Sequence, residues 1–332
     1  MMTSTAVAHP NIALVKYWGK ADADLALPAT GSVSMGLDVF PTTTSVTLAD
    51  QREHDAFTLN GRVVDDGALV RVERFLDRVR ELAGSDARAV VVSENTVPTG
   101  AGLASSASGF AALAVAAADA YGLDLSPRDL SRLARRGSGS ATRSIPGGVS
   151  VWHAGDDQAS FAETVPAPPM AMVVVTIDDG PKEIGSREAM RRTIATSPFY
   201  PAWVSSTTVT VDDMLAACAA GNFTRIGQLT ESNALRMHAT IEGAFPPIRY
   251  LNSRSVAVFD AVAAMRGEGL EAYATADAGP NVVVLCRPED RARVAAALDG
   301  FGAVIESGTG PAAGLVRSEG TGENPEAEES TA

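Results

Sequence analysis

Glycines and hydroxyl side chains are concentrated in the stretch PTGAGLASSASG, which leads into a long Ala-rich run. Gly100 and Gly102 can adopt positive φ without a steric penalty. Hydroxyl groups stand where a helix should begin, at Ser105, Ser106 and Ser108. The first turn of a helix has unpaired N–H groups and a partial positive charge, so a phosphate can bind there without a side-chain cation. The stretch therefore indicates an anion-binding loop; the alternative is a Gly-rich turn that caps a core helix.

This loop matches neither of the two common phosphate-binding motifs. The chain contains no G-x-x-x-x-G-K-[ST] sequence and no G-x-G-x-x-G sequence. If the loop binds phosphate, it belongs to another class of phosphate-binding loop.

Lysine is rare in this chain. Of the 27 basic residues only three are lysines, namely Lys16, Lys20 and Lys182, and they fall in apolar or turn-rich segments. An ammonium group is a compact charge with three donors, which suits phosphate oxygens that move during a transfer reaction. We therefore expect the lysines to contact phosphate, although the apolar run before Lys16, taken alone, is more typical of a simple strand and turn.

A second polar loop, RRGSGSATRSIPGG, spans residues 135–148. It alternates glycine and serine between arginines, so it can bury little apolar area while it presents many hydrogen-bond donors. The pattern favours a second anion-binding segment, and a flexible loop is the alternative.

The composition excludes several classes of protein. A net charge of −13 opposes binding to nucleic acid or to an anionic membrane. The N-terminus has no signal-peptide pattern and no apolar run approaches the ~20 residues of a membrane span, so we expect a soluble, cytoplasmic protein. Cys218 and Cys286 lack the spacing of a metal site or a disulfide framework. The acidic tail, residues 317–332, has too few apolar side chains to order and is predicted to be disordered.

The hydrophobic pattern predicts both strands and helices along the chain. Strands are predicted over 8–18, 32–40, 42–48, 57–64 as a hairpin, 89–93, 149–152, 161–165, 171–177, 273–276, 282–285 and 303–305. Helices are predicted from 105 through the Ala-rich run and over 69–82, 126–136, 212–220, 223–238, 254–266 and 288–298. From residue 171 onward this order is the βαββαβ order of a ferredoxin-like domain.

Six blocks of sequence form a set that runs from near the N-terminus to residue 285. They are NIALVKYWGKAD, PTGAGLASSASGFAAL, SRLARRGSGSATRS, KEIGSREAMRRTIATSPFY, ESNALRMHAT and YATADAGPNVVVL. In kind and order these blocks resemble the mevalonate diphosphate decarboxylase family of the GHMP kinase superfamily. The RGSGSA and DAGPN blocks distinguish this family from the related kinases.

The resemblance implies an α+β protein with the GHMP kinase fold. In that fold an N-terminal mixed α/β domain, residues 1–168 here, packs against a ferredoxin-like C-terminal domain, residues 169–316, with a deep cleft between them. A Pro-rich stretch around residue 168 is consistent with a crossing between domains. The resemblance also implies a homodimer.

The implied activity is that of an ATP-dependent lyase. The family converts (R)-5-diphosphomevalonate to isopentenyl diphosphate, ADP, phosphate and CO2, with ATP and Mg²⁺. Asp277 matches the catalytic carboxylate, which could act as a base or stabilise positive charge at C3, and both roles are open. From the local sequence alone, Asp277 is an ordinary turn residue and His238 a structural histidine.

The remaining roles follow from the same resemblance. Arg143 would hold the substrate carboxylate, Lys16 would lie by the reacting centre, and Lys182 would neutralise the transferring phosphate. The substrate would be bound by Tyr17, Lys20, Ser138, Gly139, Ser140, Arg143, Arg187 and Met190. The nucleotide would be bound by Asn95, Pro98, Gly100, Ala101, Gly102, Leu103, Ala104, Ser105, Ser106 and Ser108, with Ser105 near the Mg²⁺.

Three positions depart from the family pattern. Thr30 stands where Asn is common, Gly185 where Ser is frequent, and Pro146 where a large apolar residue is usual. None of the three removes a charged participant. Two other activities within the superfamily stay open, namely a phosphomevalonate decarboxylase and a mevalonate 3-kinase. A catalytically idle, ligand-binding relative is a further alternative.

Overall fold

The computed structural model describes residues 3–49, 51–97, 105–178, 180 and 183–316. Part of the predicted site therefore lies outside the described residues: Pro98, Gly100, Ala101, Gly102, Leu103, Ala104 and Lys182. The predicted disordered tail, residues 317–332, also lies outside them.

Strands and helices cover most of the described chain, with a run of strands at its start and a run of helices after β12. In chain order they are β1 (Thr3–Ala8), β2 (Asn11–Val15), β3 (Lys20–Asp22), β4 (Leu27–Pro28), β5 (Ser32–Gly36), β6 (Thr42–Ala49), β7 (Ala56–Leu59), β8 (Arg62–Val64), α1 (Gly67–Ala83), β9 (Arg88–Asn95), α2 (Ser105–Ala120), α3 (Pro127–Gly137), β10 (Val149–Trp152), β11 (Ala162–Thr164), β12 (Ala171–Thr176), α4 (Ser186–Thr196), α5 (Tyr200–Ala219), α6 (Phe223–Glu242), α7 (Ser253–Gly267), β13 (Ala272–Thr275), β14 (Val282–Cys286), α8 (Arg291–Ala297), β15 (Ala303–Ser307) and β16 (Gly314–Leu315). Short 3₁₀ helices cover Gly139–Ser144 and Pro288–Asp290.

The first sheet is covered by the Ala-rich helix α2. Its strand order is β16-β1-β6-β9-β7-β8, and its pairs are antiparallel except for β7 with β9. Alanines of α2 such as Ala111, Ala114 and Ala117 are fully buried against this sheet and against α1 and α3. Small side chains let the helix approach its neighbours closely on most sides, which fixes the position of its first turn.

The second sheet supplies the strand that leads into Lys16. Its order is β11-β10-β5-β2, all antiparallel, and β2 is buried along its length. Side chains of β2 share one apolar cluster with α5, α6 and one face of the third sheet. The N-terminal half of the chain, from β1 to β11, and the C-terminal half, from β12 to β15, are therefore joined through a common core.

The third sheet has the order β13-β14-β12-β15, with antiparallel pairs throughout. This is the strand order of a ferredoxin-like sheet, as the sequence predicted. Met172 and Val174 of β12 face α5 and α6, whereas Val173 and Val175 face α7 and α8. Because β12 is covered on both faces, its sequence is a continuous apolar run.

Helix α5 begins at Tyr200, whereas the sequence predicted a helix from Asp212. Its first half, YPAWVSSTTVTV, is rich in β-branched residues that disfavour a helix locally. Trp203, Thr207 and Val211 are buried at helical spacing, and the Trp203 indole N–H donates to the carbonyl of Trp18 at 2.9 Å. Tertiary packing outweighs local preference here.

Other differences concern short elements. The predicted strand over 8–18 is shorter, and β1, the small β3–β4 hairpin and β16 were not predicted. Residues 139–144, predicted only as a polar loop, form a 3₁₀ helix. Within the described part of the chain, no helix combines the length and apolar character needed to cross a bilayer.

Candidate active site

A cavity of about 910 Å³ lies between the two halves of the chain. Its wall contains residues from both halves, including residues that follow β2 and β13 and residues at the start of α4. The predicted site residues that line it are Lys16, Tyr17, Lys20, Ser106, Ser138, Gly139, Ser140, Arg143, Arg187, Met190 and Asp277. The structure therefore brings together, around one space, all the described residues predicted to be catalytic or substrate-binding.

Lys16 and Asp277 form an ion pair at the wall of this cavity. The Nζ atom of Lys16 lies 2.6 Å from Oδ1 of Asp277, and the two side chains are 2% and 28% exposed. Lys16 is the residue after β2, and Asp277 follows β13 by two residues. Burial lowers the pKa of Lys16, and the charge of Asp277 opposes that shift. A carboxylate from the C-terminal half and an ammonium group from the N-terminal half are therefore in direct contact.

Arg143 is buried beside this pair and is held by two uncharged acceptors. Its Nε donates to Oδ1 of Asn11 at 3.1 Å, and its NH1 donates to the hydroxyl of Ser32 at 2.8 Å. Burial lowers the pKa of Arg143 to about 10, against the charge of Asp277 and the Tyr17 hydroxyl. Since neither hydrogen-bond acceptor carries a charge, an anionic ligand can still interact with this guanidinium.

Asn11 was not identified from the sequence. Besides accepting from Arg143, its Nδ2 donates to the hydroxyl of Ser144 at 2.7 Å and to the carbonyl of Ser140 at 3.2 Å. One buried amide therefore fixes Arg143 and the 3₁₀ helix together. The available signal was an asparagine at the start of an apolar strand, where a polar side chain needs partners.

The polar loop after α3 packs closely against Tyr17. A Cβ on Gly139 would lie 3.0 Å from the Tyr17 hydroxyl oxygen and 3.2 Å from the Trp152 ring, so glycine permits this approach. The buried Tyr17 hydroxyl has no hydrogen-bond partner among the described residues, and burial raises its pKa. A buried hydroxyl in a cavity wall with no protein partner is suited to a ligand.

Serine hydroxyls connect the two predicted anion-binding segments. The Ser138 hydroxyl lies 3.3 Å from that of Ser106 in the first turn of α2 and 3.3 Å from that of Ser140. Two loops predicted separately from the sequence are therefore neighbours in the fold.

Lys20, Arg71 and Arg187 form a cluster of cations in the same cavity. Burial lowers the pKa of Lys20, and the charges of Arg187 and Arg71 lower it further. Burial and Arg187 lower the pKa of Arg71 to about 10. In a chain of net charge −13, mutually repelling cations gathered around one space indicate an anionic ligand.

Arg71 was also not identified from the sequence. It lies on α1 with Arg74 and Arg78, at spacings of three and four residues, and all three line the cavity. Its guanidinium and that of Arg187 both approach the Gly137 carbonyl at 3.4 Å. The helical spacing of the three arginines was a visible signal, but nothing local indicated that this face of α1 turns toward a site.

The start of α4 also contributes to the cavity wall. Gly185 is its N-cap, and no side chain caps the first turn, which leaves N–H groups for a ligand. Gly185 is one of the three positions that depart from the family pattern. Of the other two, Thr30 is buried. Pro146 lies two residues after the 3₁₀ helix.

Three described residues predicted to bind nucleotide lie outside the lining of this cavity. Ser105 is exposed at the start of α2. The backbone N–H of Asn95 donates to Oδ1 of Asn60 at 2.7 Å. Ser108 is fully buried, where its hydroxyl accepts from Thr42 at 2.7 Å. Their predicted contact with a nucleotide stays a prediction.

Two family models match the chain. A diphosphomevalonate decarboxylase-like N-terminal domain matches residues 8–162, and a mevalonate 5-diphosphate decarboxylase C-terminal domain matches residues 172–318. Among curated proteins, the diphosphomevalonate decarboxylase of Aspergillus fumigatus is 37% identical over 321 residues, covering 88% of this chain and 78% of that protein.

Solved structures are similar over nearly the whole chain. Mevalonate diphosphate decarboxylase from Staphylococcus aureus matches with a TM-score of 0.91 and 40% identity, covering 95% of this chain and 98% of that one. A structure described as "MDDEF in complex with MVAPP, AMPPCP and Magnesium" matches with a TM-score of 0.90 and 42% identity, covering 96% and 99%.

The fold and the cationic cavity between its halves define a protein with the GHMP kinase fold. The matches along the whole chain are more specific than the fold. The chain belongs to the diphosphomevalonate decarboxylase family.

Proposed function

We propose that this chain catalyses the ATP-dependent decarboxylation of (R)-5-diphosphomevalonate to isopentenyl diphosphate in the mevalonate pathway, with release of ADP, phosphate and CO2. The observation that carries the proposal is the position of the Lys16–Asp277 pair beside Arg143 in a cavity that also holds Lys20 and Arg187. This arrangement suits a substrate with a carboxylate, a hydroxyl group and a diphosphate.

The reaction has two chemical stages. ATP first phosphorylates the tertiary 3-hydroxyl group, whose proton must be removed or shared as the O–P bond forms. The C3–O bond to the new phosphate then breaks, and the C–C bond to the carboxylate breaks as well. The electron pair of that C–C bond becomes the alkene, and the carboxylate carbon leaves as CO2.

Arg143 is assigned to the substrate carboxylate. Its guanidinium is rigid because Asn11 and Ser32 fix two of its nitrogens. A guanidinium so held can orient the C–C bond that must break relative to the leaving phosphate. Trp152 lies near its charge, with the ring centroid 5.9 Å away.

Asp277 is assigned to the 3-hydroxyl group, with Lys16 at its side. The carboxylate can accept the hydroxyl proton or stabilise positive charge that develops at C3, and both roles remain open. Both roles require an ionised carboxylate, and the neighbouring ammonium group of Lys16 favours that form.

The substrate diphosphate is assigned to the hydroxyl and cationic groups of the cavity. These are Tyr17, Lys20, Ser138, Ser140 and Arg187, with the backbone at Gly139 and near Met190. The Tyr17 hydroxyl, which has no hydrogen-bond partner in the part of the chain that the structure describes, and the lowered pKa of Lys20 both support an anion in this part of the cavity.

ATP and Mg²⁺ are assigned to the start of α2. Ser106 lines the cavity there, and we propose that Ser105 faces the same phosphates. No group of three or more His, Cys, Asp or Glu residues in the described chain is arranged to hold a metal ion. This fits Mg²⁺, which retains waters and is held mainly through substrate phosphates, where it neutralises their charge. The roles of Asn95, Pro98, residues 100–104, Ser108 and Lys182 stay predictions.

The two related activities make different products. A phosphomevalonate decarboxylase would release CO2 from the monophosphorylated substrate, and a mevalonate 3-kinase would form ADP without CO2. The test is to measure ADP and CO2 with mono- and diphosphorylated substrates. We expect one CO2 per ADP with the diphosphate; ADP without CO2 would refute the decarboxylase assignment.

A catalytically idle relative is disfavoured because Asp277 and Arg143 are both present and both line the cavity. The homodimeric state and the cytoplasmic location stay predictions. Sedimentation of the purified protein would test the first of these.

A further inference from the structure

Two buried polar side chains of α6 contact backbone groups at the Lys16–Asp277 pair, one at Lys16 and one at the residue before Asp277. Oδ1 of Asn233 accepts the backbone N–H of Lys16 at 2.7 Å. Nε2 of His238 lies 3.3 Å from the carbonyl oxygen of Ala276, the residue before Asp277. Asn233 is 0% exposed and His238 is 3% exposed, and neither belongs to the lining of the cavity.

Helix α6 is in a position to connect the two halves of the site. It packs against β2, which ends one residue before Lys16, and against β13, which ends one residue before Ala276. These strands belong to different sheets, so no shared backbone ladder fixes their ends relative to each other. The two contacts from α6 are made just beyond the ends of these strands, at Lys16 after β2 and at Ala276 after β13.

The chemistry of His238 is defined by its partner. A carbonyl oxygen can only accept, so Nε2 carries the proton and donates it. Burial lowers the pKa of His238 to about 4, and Lys16 lowers it further whereas Asp277 and the backbone carbonyl of Ala276 raise it. The imidazole is therefore neutral at neutral pH, and its Nδ1 has no hydrogen-bond partner among the described residues.

We propose that Asn233 and His238 are positioning residues that fix the placement of Lys16 and Asp277 relative to each other across the two halves of the chain. This rests on the proposed roles of Lys16 and Asp277 in the reaction. Neither α6 side chain lines the cavity; each acts through the backbone group that it contacts. A displacement of about 1 Å at a reacting group can cost ~10²-fold in rate, so a donor that prevents it has a large effect.

Three substitutions of His238 separate the hydrogen bond from the bulk of the ring. His238→Gln keeps an amide donor at the distance of Nε2, His238→Asn places it nearer the backbone, and His238→Leu removes it. We expect His238→Leu and His238→Asn to lower kcat about 100-fold, with little change in KM for diphosphomevalonate. His238→Gln is expected to retain most of the wild-type kcat.

The second arm is tested with Asn233→Leu, which fills the same space without an acceptor. We expect a fall in kcat with KM retained, as for His238→Leu. Asn233→Asp keeps an oxygen acceptor for the Lys16 N–H and is expected to retain more activity than Asn233→Leu. Thermal unfolding of each variant shows that the comparison is made between folded proteins.

A double-mutant cycle tests whether His238 acts through Asp277. If it does, His238→Leu has no further effect on the residual activity of Asp277→Asn, because the group that it positions is already altered. Losses that multiply would overturn the proposal, and so would a His238→Leu variant with wild-type kcat. Equal losses in His238→Gln and His238→Leu would overturn it as well, since the donor would then be irrelevant.

The proposed function fails by a different result. If Asp277→Asn alone keeps wild-type activity, the role assigned to Asp277 is wrong, whatever the His238 variants do. If Asp277→Asn is inactive while His238→Leu is fully active, Asp277 keeps its role and only the positioning proposal is overturned.

Discussion

The ammonium group of Lys16 lies 2.6 Å from the carboxylate of Asp277, although 261 positions separate the two residues in the chain. The contact joins the end of a strand in one sheet to the end of a strand in another. It brings the proposed acid–base group to the edge of a cavity whose remaining charges are mainly positive.

Asp277→Asn is expected to lower kcat by about 10²- to 10⁴-fold, because an amide cannot accept the hydroxyl proton or stabilise a developing cation. Binding of diphosphomevalonate, measured by calorimetry, should change little, since Arg143, Lys20 and Arg187 remain. Asp260→Asn is the matched control, because Asp260 is exposed on α7. An active Asp277→Asn enzyme would contradict the assignment.

Arg143→Lys is expected to lower kcat/KM about 100-fold although the positive charge is retained. A lysine has no planar pair of donors, so it cannot bond Asn11 and Ser32 while it binds a carboxylate at two points. Steady-state kinetics with diphosphomevalonate measure the loss. Arg225→Lys, an exposed member of a surface pair with Asp213, should have wild-type kinetics.

Gly137→Ala and Gly109→Ala are expected to change stability in opposite directions. A Cβ on Gly137 would lie 2.0 Å from the ring of Phe110, which predicts a loss of about 1 to 3 kcal/mol through overpacking. A Cβ on Gly109 in α2 would meet no atom of the described residues within 4 Å, and removing a helix glycine there should add about 0.5 to 1 kcal/mol. Urea unfolding measures both, and a Gly137→Ala protein as stable as the wild type would refute the close approach of Gly137 to the Phe110 ring.

His238 is expected to make stability depend on pH below 6.5. Its pKa is about 4 in the folded protein and 6.5 when unperturbed, so between these values the unfolded chain binds more protons than the native one. Its contribution is complete above pH 6.5 and is lost as pH falls toward 4, by about 3 kcal/mol in total. The unfolding free energy of the wild type should therefore fall relative to that of His238→Gln as pH is lowered from 6.5 toward 4. Parallel curves for the two proteins would contradict a buried neutral imidazole.

Local features of the fold could be predicted because their causes are local. A hairpin was predicted over residues 57–64, and Asn60 and Gly61 both have positive φ in its β7–β8 turn. Helix α1 ends at Gly84 in the left-handed conformation, and α3 begins after Ser126, whose hydroxyl accepts from the N–H of Asp129. Glycine, asparagine and capping serine determine these points without help from distant residues.

The candidate site could be predicted in part, through a family resemblance rather than through spacing. Lys16, Arg143 and Asp277 were identified because their blocks matched a known set. Asn11 and Arg71 were missed, since their roles depend on which distant backbone or side chain lies opposite them. His238 was predicted to be a structural histidine in a helix, and it is buried in α6, but its partner, 38 positions away, could not be inferred from the local pattern.

The short strand β16 pairs with β1, and the N–H of Val316 donates to the carbonyl of Thr5 at 2.8 Å. The chain therefore runs into the block from β12 to β15 after β11 of the second sheet, and it returns to the first sheet in β16, beside β1. Two covalent crossings, rather than one, connect this block to the rest of the chain. Because the block is attached at two points, it is not free to rotate about a single linker.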